Sequence, residues 1–136
     1  MRFLLDSNAW IALFRQKSPA LIHRLRQTSP DDIALCSVVL GELWFGSYRS
    51  GPANRASNDA LIEQLRKRHV SLPFDDVAAA EYARLRSTLS DAGQMIGPND
   101  AMIAAIALAN RLTIVTHNTS EFGRIQALTV EDWQIP

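Results

Sequence analysis

The chain has 136 residues, of which 47% are hydrophobic and 21% charged, a profile that predicts one soluble globular domain over residues 1–136. Its formal net charge is zero, which argues against a nucleic-acid binder that is basic over its whole surface. A run of about 18 apolar residues is absent, so we expect no membrane span. Cys36 is the single cysteine, and the first residues do not resemble a secretory signal, so the expected compartment is the cytosol.

The first half of the chain alternates strand and helix patterns. The predicted elements are a strand in RFLL, a helix in AWIALFR, a helix that starts at Ser18-Pro19 and runs to about Arg26, a strand in IALCS, and a helix in VVLGELWFGSYR capped by Ser37. The stretch RSGPANRASND, from Arg49 to Asp59, is predicted to be a loop that joins two helices.

The second half continues the alternation. The predicted elements are a helix from about Arg55 to Arg68, a short strand near HVSL, a helix in DVAAAEYARLRSTLSDA that Asp75 caps and Gly93 ends, an apolar helix opened by Asn99 or Asp100, a strand in LTIVT, and a possible edge strand in ALTVEDW. Strands that alternate with helices predict an α/β fold in which a parallel sheet carries helices on both faces. Such sheets bind ligands beyond the carboxyl ends of their strands.

Three apolar segments each contain a single charge, and in each case it is a carboxylate. The only charged residue is Asp6 between residues 3 and 14, Glu42 between residues 33 and 48, and Asp100 between residues 100 and 110. An unpaired carboxylate is costly to bury, so segments that form the core should not carry one without a reason. All three acids are expected at one rim of the sheet.

Carboxylates that gather at one rim repel each other, and the repulsion is relieved by a shifted pKa or by a cation. Oxygen ligands favour Mg²⁺ or Mn²⁺ over zinc, and the three histidines are too scattered for a zinc cage. A divalent cation held by carboxylates is suited to phosphoryl transfer, because it lowers the pKa of water and stabilises charge on phosphate oxygens. The residues alone therefore predict a metal-dependent enzyme of phosphoryl transfer.

The motifs LLDSNAWIALF, VVLGELWFGS, GPNDAMIAAIALANRLTIVTHNTSEF and LTVEDW follow one another over nearly the whole chain. In that order they resemble the PIN domain, and specifically the VapC group of bacterial toxins. The resemblance implies a three-layer α/β/α sandwich and a Mg²⁺-dependent endoribonuclease that cuts single-stranded regions of RNA, with Mn²⁺ as a possible substitute. It also implies a homodimer and a cognate antitoxin as partner.

The resemblance also assigns roles to residues. It makes Asp6 and Asp100 the principal Mg²⁺ ligands, Glu42 the third acid of the metal site, and Thr116 a hydroxyl residue that orders the site. At Asn118 the chain departs from the many PIN domains that have a fourth acid there. Glu121 either compensates or is a surface residue, and the departure favours one Mg²⁺ over two.

Structural readings of the same residues remain open at this point. Asp6 and Asp100 could cap helices, Glu42 could pair with an arginine, and Asn118 could be a turn residue. His117 is read as a solvated turn residue. The aromatic residues Trp44, Phe45 and Tyr48 could belong to the core, to a dimer surface or to a groove for the antitoxin. The basic run from Arg66 to Arg68 could be a solvated helix end or a patch that binds phosphate.

Two other functions also remain open. One is a catalytically inactive PIN-like binding module, which the departure at Asn118 would suit. The other is a phosphatase with an aspartyl nucleophile, although Asn8 stands where such enzymes usually place a second acid.

Overall fold

The computed structural model describes all 136 residues, arranged around one parallel sheet. Its strands are β1 (Phe3–Leu5), β2 (Ile33–Cys36), β3 (Ser71–Leu72), β4 (Thr113–Val115) and β5 (Val130–Glu131). The spatial order is β3-β2-β1-β4-β5, and every neighbouring pair is parallel. Every residue of β1 and β2 is buried, which explains why both strands read as uninterrupted apolar runs.

Seven helices flank the sheet on both faces and complete the predicted three-layer α/β/α sandwich. They are α1 (Ser7–Phe14), α2 (Pro19–Gln27), α3 (Ser37–Arg49), α4 (Pro52–Arg68), α5 (Asp76–Asp91), α6 (Pro98–Ala109) and α7 (Thr119–Phe122), and a single 3₁₀ turn covers Pro30–Asp32. No helix combines the length and the apolar character that crossing a membrane would require.

The order of the strands creates a switch point between β1 and β4. From β1 the chain builds outward to β2 and β3 on one side, and later to β4 and β5 on the other. Leu5 is paired with Val115 in register, so the residues that follow them, Asp6 and Thr116, emerge side by side. Open parallel sheets bind their ligands in the crevice beside such a reversal.

Several local predictions are confirmed by backbone contacts. The hydroxyl oxygen of Ser18 accepts a hydrogen bond from the Leu21 N–H, and Asp75 caps α5 by accepting from the Ala78 N–H. Gly93 has a φ of +66°, a left-handed conformation that glycine adopts without strain, just beyond the end of α5. Serine and aspartate are favoured at helix starts because their oxygens satisfy backbone donors that the helix leaves free.

The prediction of a loop from Arg49 to Asp59 is wrong. The connection between α3 and α4 is only Ser50 and Gly51, and α4 begins at Pro52, three residues before the predicted Arg55. Gly51 turns the chain with a φ of +85°, and proline suits the first helical position because it needs no backbone donor there. The polar residues that suggested a loop lie in the first turns of α4 instead.

Two predicted helix starts are also displaced. Cys36 rather than Ser37 is the N-cap of α3, and the Ser37 hydroxyl instead accepts a hydrogen bond from the Phe74 N–H, which ties α3 to the chain after β3. Helix α6 begins at Pro98 with Gly97 as its N-cap, not at Asn99 or Asp100. Asp100 therefore lies in the first turn of α6, at the end of the helix where the backbone dipole favours a negative charge.

Candidate active site

Asp6 lies at the carboxyl end of β1 with only 3% of its surface exposed. Its Oδ1 accepts a hydrogen bond from the Ala9 N–H at 2.9 Å, which makes it the N-cap of α1. Its Oδ2 accepts from the Thr116 hydroxyl at 2.6 Å. Burial nevertheless raises the pKa of Asp6 above its ordinary value, and the nearby Glu42 and Asp132 carboxylates add to the rise. Helix capping accounts for the contact of Oδ1, whereas Oδ2 is held by Thr116 at the end of β4.

Glu42 lies in the second turn of α3, half-buried, and is held by residues of two other helices. The Ser7 hydroxyl, at the start of α1, donates to its Oε1 at 2.6 Å. The Asn99 side-chain amide, at the start of α6, donates to its Oε2 at 3.5 Å. No arginine forms a salt bridge with Glu42, so the open reading of a surface ion pair is wrong.

Asp100 and Glu121 bring two more carboxyl groups to the same place. The pKa of Asp100 is raised to about 6, first by burial and then by the negative charges of Asp6, Glu42 and Glu121. Contact with the Glu121 side chain raises the pKa of Asp100 further. A raised pKa is one way in which neighbouring carboxyl groups avoid mutual repulsion.

Thr116 and Asn118 organise this set from the end of β4. Thr116 is 1% exposed, and its Oγ1 donates to Asp6 while accepting from the Asn118 N–H at 2.9 Å. The Asn118 side-chain amide donates to Glu121 Oε2 at 2.7 Å. Asn118 therefore holds Glu121 in position, and it is Glu121, one helical turn further on, that brings a carboxyl group to Asp100.

The structure thus collects an acidic cluster consisting of Asp6, Glu42, Asp100 and Glu121. The salt bridges of the protein all involve other acids, so no arginine or lysine neutralises the acidic cluster. All of the atoms that the acidic cluster offers as metal ligands are carboxylate oxygens, which suit a hard divalent cation. In the arrangement observed, however, no three Asp, Glu, His or Cys side chains stand close enough to hold a metal ion. The donor chemistry fits Mg²⁺, and coordination would require these side chains to move closer together.

Sequence reasoning missed the residues that orient the acids. Ser7 and Asn99 hold Glu42, yet Ser7 was not considered and Asn99 was considered only as the start of a helix, although each stands directly beside a predicted site acid in the sequence. Asp132 was also missed, and it lies close enough to influence Asp6. A simple signal was available: polar residues that adjoin a lone acid in an apolar segment are candidates for its hydrogen-bond partners.

Other residues considered from the sequence lie outside the acidic cluster. Trp44 packs partly against the core beneath the Arg66 guanidinium, whereas Phe45 and Tyr48 are 67% and 65% exposed. Arg66 also pairs with Glu63, which fits the reading of a solvated helix end. Asn8, two residues after Asp6, is exposed on α1, whereas Asp6 is buried.

Comparisons with known proteins identify the family and the fold. The family model described as PIN domain matches residues 3–128. The chain is 36% identical over 133 residues to the tRNA(fMet)-specific endonuclease VapC of Shigella flexneri, covering 98% of both chains. It superimposes with a TM-score of 0.89 on a chain of VapBC2 from Rickettsia felis bound to a promoter DNA fragment, at 30% identity and with coverage of 98% and 99%.

A further solved structure adds a toxin–antitoxin context. VapBC-5 from Mycobacterium tuberculosis, a member of the VapBC family of toxin–antitoxin systems, matches with a TM-score of 0.65 at 32% identity. The match covers 76% of this chain and 82% of the other. The fold similarity therefore extends across VapBC systems from distant bacteria.

Proposed function

Because the chain belongs to the PIN-domain family and, within it, to the VapC group of ribonucleases, we propose that it is a Mg²⁺-dependent endoribonuclease that acts as the toxin of a toxin–antitoxin pair. The observation that carries the proposal is the acidic cluster. Four carboxyl groups from four separate elements meet at the switch point of the sheet without a basic partner. A fold gains no stability from such repulsion, so the arrangement is best explained by a ligand of positive charge.

The proposed metal ligands are Asp6, Asp100 and Glu42, with Glu121 as the fourth acid and Mn²⁺ as an alternative to Mg²⁺. When bound, such a cation acts as a Lewis acid on a phosphate oxygen and makes water more acidic. A carboxyl group of the acidic cluster that the metal does not occupy, such as Glu121, would orient the attacking water or accept its proton. The catalytic water is then activated by groups that the protein itself supplies.

Three polar residues are proposed to position the acids rather than to react. Thr116 fixes one oxygen of Asp6, Ser7 fixes one oxygen of Glu42, and Asn118 fixes one oxygen of Glu121. The second oxygen of Asp6 accepts from the Ala9 N–H, and the second oxygen of Glu42 accepts from the Asn99 amide at 3.5 Å. Hydrogen bonds of this kind orient ligating carboxylates and tune their affinity for the metal.

The proposed substrate is a single-stranded region of RNA. A carboxylate site contacts phosphates and water and reads no base, so the choice of target depends on the shape of the RNA loop and on stacking. The VapC relative from Shigella flexneri is named as specific for tRNA(fMet). Initiator tRNA is therefore the first structured substrate to test, beside an unstructured oligoribonucleotide.

The direct test is cleavage of these RNAs by the purified chain with Mg²⁺ or with EDTA. We expect internal cuts with Mg²⁺, none with EDTA, and none by the Asp6→Asn variant. Cleavage that persists in EDTA would contradict the metal dependence. Release of inorganic phosphate together with a phosphorylated Asp6 would instead support the aspartyl phosphatase, and a folded chain that binds no metal and cuts no RNA would support the inactive module.

The proposed antitoxin partner has a suitable surface on the side of α1, α2 and α4. A groove of about 690 Å³ there is lined largely by apolar side chains, and Arg26 and Arg68 also line it. Trp10 forms part of its floor, and the two arginines place positive charge at its margin. We propose that an apolar antitoxin segment occupies this groove.

Co-expression with the short open reading frame beside the gene tests the partnership. We expect the two products to co-purify and RNA cleavage to be inhibited. A Leu61→Asp substitution, which places a charge in the groove at a half-buried position of α4, should release the partner while the free chain still cuts RNA, since Leu61 lies on a different element from every member of the acidic cluster. Co-purification that survives this change would contradict the groove as the binding surface.

The proposed homodimer is supported by the exposed aromatic residues of α3. Phe45 and Tyr48 lie one turn apart on that helix, and each exposes about two thirds of its surface. Paired exposed aromatics of this size are typical of protein interfaces. Sedimentation of the wild-type chain and of Phe45→Asp tests this: we expect a dimer and a monomer respectively, and a monomeric wild type would contradict it.

A further inference from the structure

An exposed histidine beside the acidic cluster is held by a buried aspartate. His117 Nδ1 lies 2.9 Å from Asp132 Oδ2, and the two side chains are 66% and 7% exposed. The other oxygen of Asp132 accepts from the Gln134 N–H at 2.9 Å. The aspartate is thus fixed on both sides, and it fixes in turn the orientation of a ring that faces solvent. An exposed side chain in a turn can hydrogen-bond to water and does not require a buried carboxylate as its partner.

The position of this pair relates it to the active site. His117 directly follows Thr116, whose hydroxyl is bonded to Asp6. Asp132 is close enough to Asp6 for its negative charge to raise the Asp6 pKa. His117 and Asp132 therefore lie on the side of the site where Asp6 meets the end of β4.

The space beside His117 suits a sugar–phosphate backbone. A surface cavity of about 700 Å³ lies between the start of α2, His117 and the C-terminal segment. Lys17 and His23 line it and form no salt bridge. Arg24, also in the lining, is shared between Glu131 and the face of the Trp133 ring. Lys17 is a free cation in this cavity, and positive charge favours the approach of phosphates.

The chemistry of the held ring points to a particular group on the RNA. Because Nδ1 faces a carboxylate, Nδ1 carries a hydrogen, and Nε2 has no partner in the protein. The ribose 2′-hydroxyl can donate to Nε2 or accept from it, so this contact forms in either protonation state of the ring. The same hydroxyl is the group by which a protein distinguishes RNA from DNA.

We propose that His117, oriented by Asp132, is a specificity-determining residue that contacts a ribose 2′-hydroxyl of the RNA strand lying in this cavity. The inference rests on the proposed function, because it assumes that the acidic cluster acts on RNA. Asp132 is the positioning residue of the pair. His23 shares the cavity but has no acid to orient it, and it serves as the matched control.

The test is the affinity of the full chain for a short single-stranded RNA and for the DNA of the same sequence, measured by fluorescence anisotropy in EDTA to prevent cleavage. We expect the wild type to prefer RNA by at least about fivefold, the factor that one net hydrogen bond supplies. His117→Ala and Asp132→Asn should lose most of that preference, by weakening RNA binding and leaving DNA binding unchanged. His23→Ala should retain it.

Each outcome decides a separate question. A wild type that neither binds RNA in EDTA nor cuts it with Mg²⁺ contradicts the proposed function itself. If it cuts RNA but binds none in EDTA, the same preference is measured as the inhibition of RNA cleavage by unlabelled RNA and by DNA of the same sequence. A wild type that binds RNA and DNA equally, or a preference that survives His117→Ala, overturns the role of His117 while leaving the nuclease proposal standing. If His117→Ala fails to fold, as judged by thermal melting, His117→Phe preserves the ring volume without the nitrogen and takes its place.

Discussion

The Thr116 hydroxyl donates to Asp6 Oδ2 at 2.6 Å, although the two residues are 110 positions apart in the chain. The contact follows from the parallel pairing of β1 with β4, which aligns Leu5 with Val115 and so places the next residue of each strand side by side. Both residues are almost completely buried. A buried hydroxyl and a buried carboxylate that satisfy each other fix the geometry of the site from within the fold.

Thr116→Val should reduce RNA cleavage by about tenfold or more, since loss of a partner that orients a ligating carboxylate typically costs 10–100-fold. Valine keeps the shape of threonine but leaves Asp6 Oδ2 without its donor. Thr116→Ser retains the hydroxyl and should keep most of the activity. Single-turnover cleavage rates of the three proteins decide this, and equal rates for the valine and wild-type proteins would show that the hydroxyl is dispensable.

Asp6→Asn and Asp6→Ala should separate the two roles of this residue. Asparagine can still cap α1 through its side-chain oxygen, so Asp6→Asn should melt near the wild-type temperature while cleavage falls by at least about a hundredfold. Alanine also loses the cap and should lower the free energy of unfolding by about 1 kcal/mol. Denaturation curves and cleavage assays test both roles, and parental cleavage by Asp6→Asn would contradict the assignment.

The raised pKa of Asp100 predicts an unusual dependence of stability on pH. Its pKa is about 6 in the folded chain against an ordinary value of 3.8, so between these values the folded state binds more protons than the unfolded state. The stability that this group contributes is therefore present at low pH and is lost as the pH rises through about 6. In EDTA, Asp100→Asn should melt a few degrees above the wild type at pH well above 6, and the difference should shrink towards pH 4.

The exposed Asp91 provides a matched control for that experiment. Asp91→Asn makes the same chemical change at the end of α5, and the difference between its melting temperature and that of the wild type should not change near pH 6. A wild type and an Asp100→Asn protein whose melting temperatures differ by the same amount at every pH would contradict the proposed repulsion. Metal affinity should show the opposite trend, rising through about pH 6, because protons compete with the cation for the carboxylate.

Glu121 and Asn118 should contribute unequally. Glu121→Gln removes a charge from the acidic cluster and should weaken both cleavage and Mg²⁺ binding. Asn118→Ala removes only the amide that holds Glu121, so we expect a smaller loss, within about tenfold. Calorimetric titration with Mg²⁺ and cleavage rates measure both, and a Glu121→Gln protein with wild-type metal affinity would return Glu121 to the status of a surface residue.

The sequence predicted the alternation of elements and the three lone acids because both depend on local patterns. Uninterrupted apolar runs identified β1 and β2, and a carboxylate within such a run is recognisable without knowledge of its neighbours. The loop predicted from Arg49 to Asp59 failed because polar residues in the first turns of a long exposed helix have the same composition as a loop. Proline at the start of α4 was the available signal.

Glu121 could be assigned only once the fold was known. Its role depends on the short turn between β4 and α7. That turn places Glu121 where the Asn118 amide holds it and where its charge acts on Asp100. Neither effect is encoded in a periodic pattern. Similarly, Asp132 acquires its place beside Asp6 because β5 pairs with β4 at the edge of the sheet, a long-range pairing that local propensity does not specify.

The most direct measurement is the melting temperature of the wild-type chain and of Asp6→Asn as Mg²⁺ or Mn²⁺ is added after EDTA treatment. A cation that binds only the folded state stabilises it by about 2.7 kcal/mol at a hundred times its dissociation constant. The acidic cluster predicts a concentration-dependent rise for the wild type and little or none for Asp6→Asn. A wild-type chain whose melting temperature does not respond to either cation would contradict the claim that these carboxyl groups form a metal site.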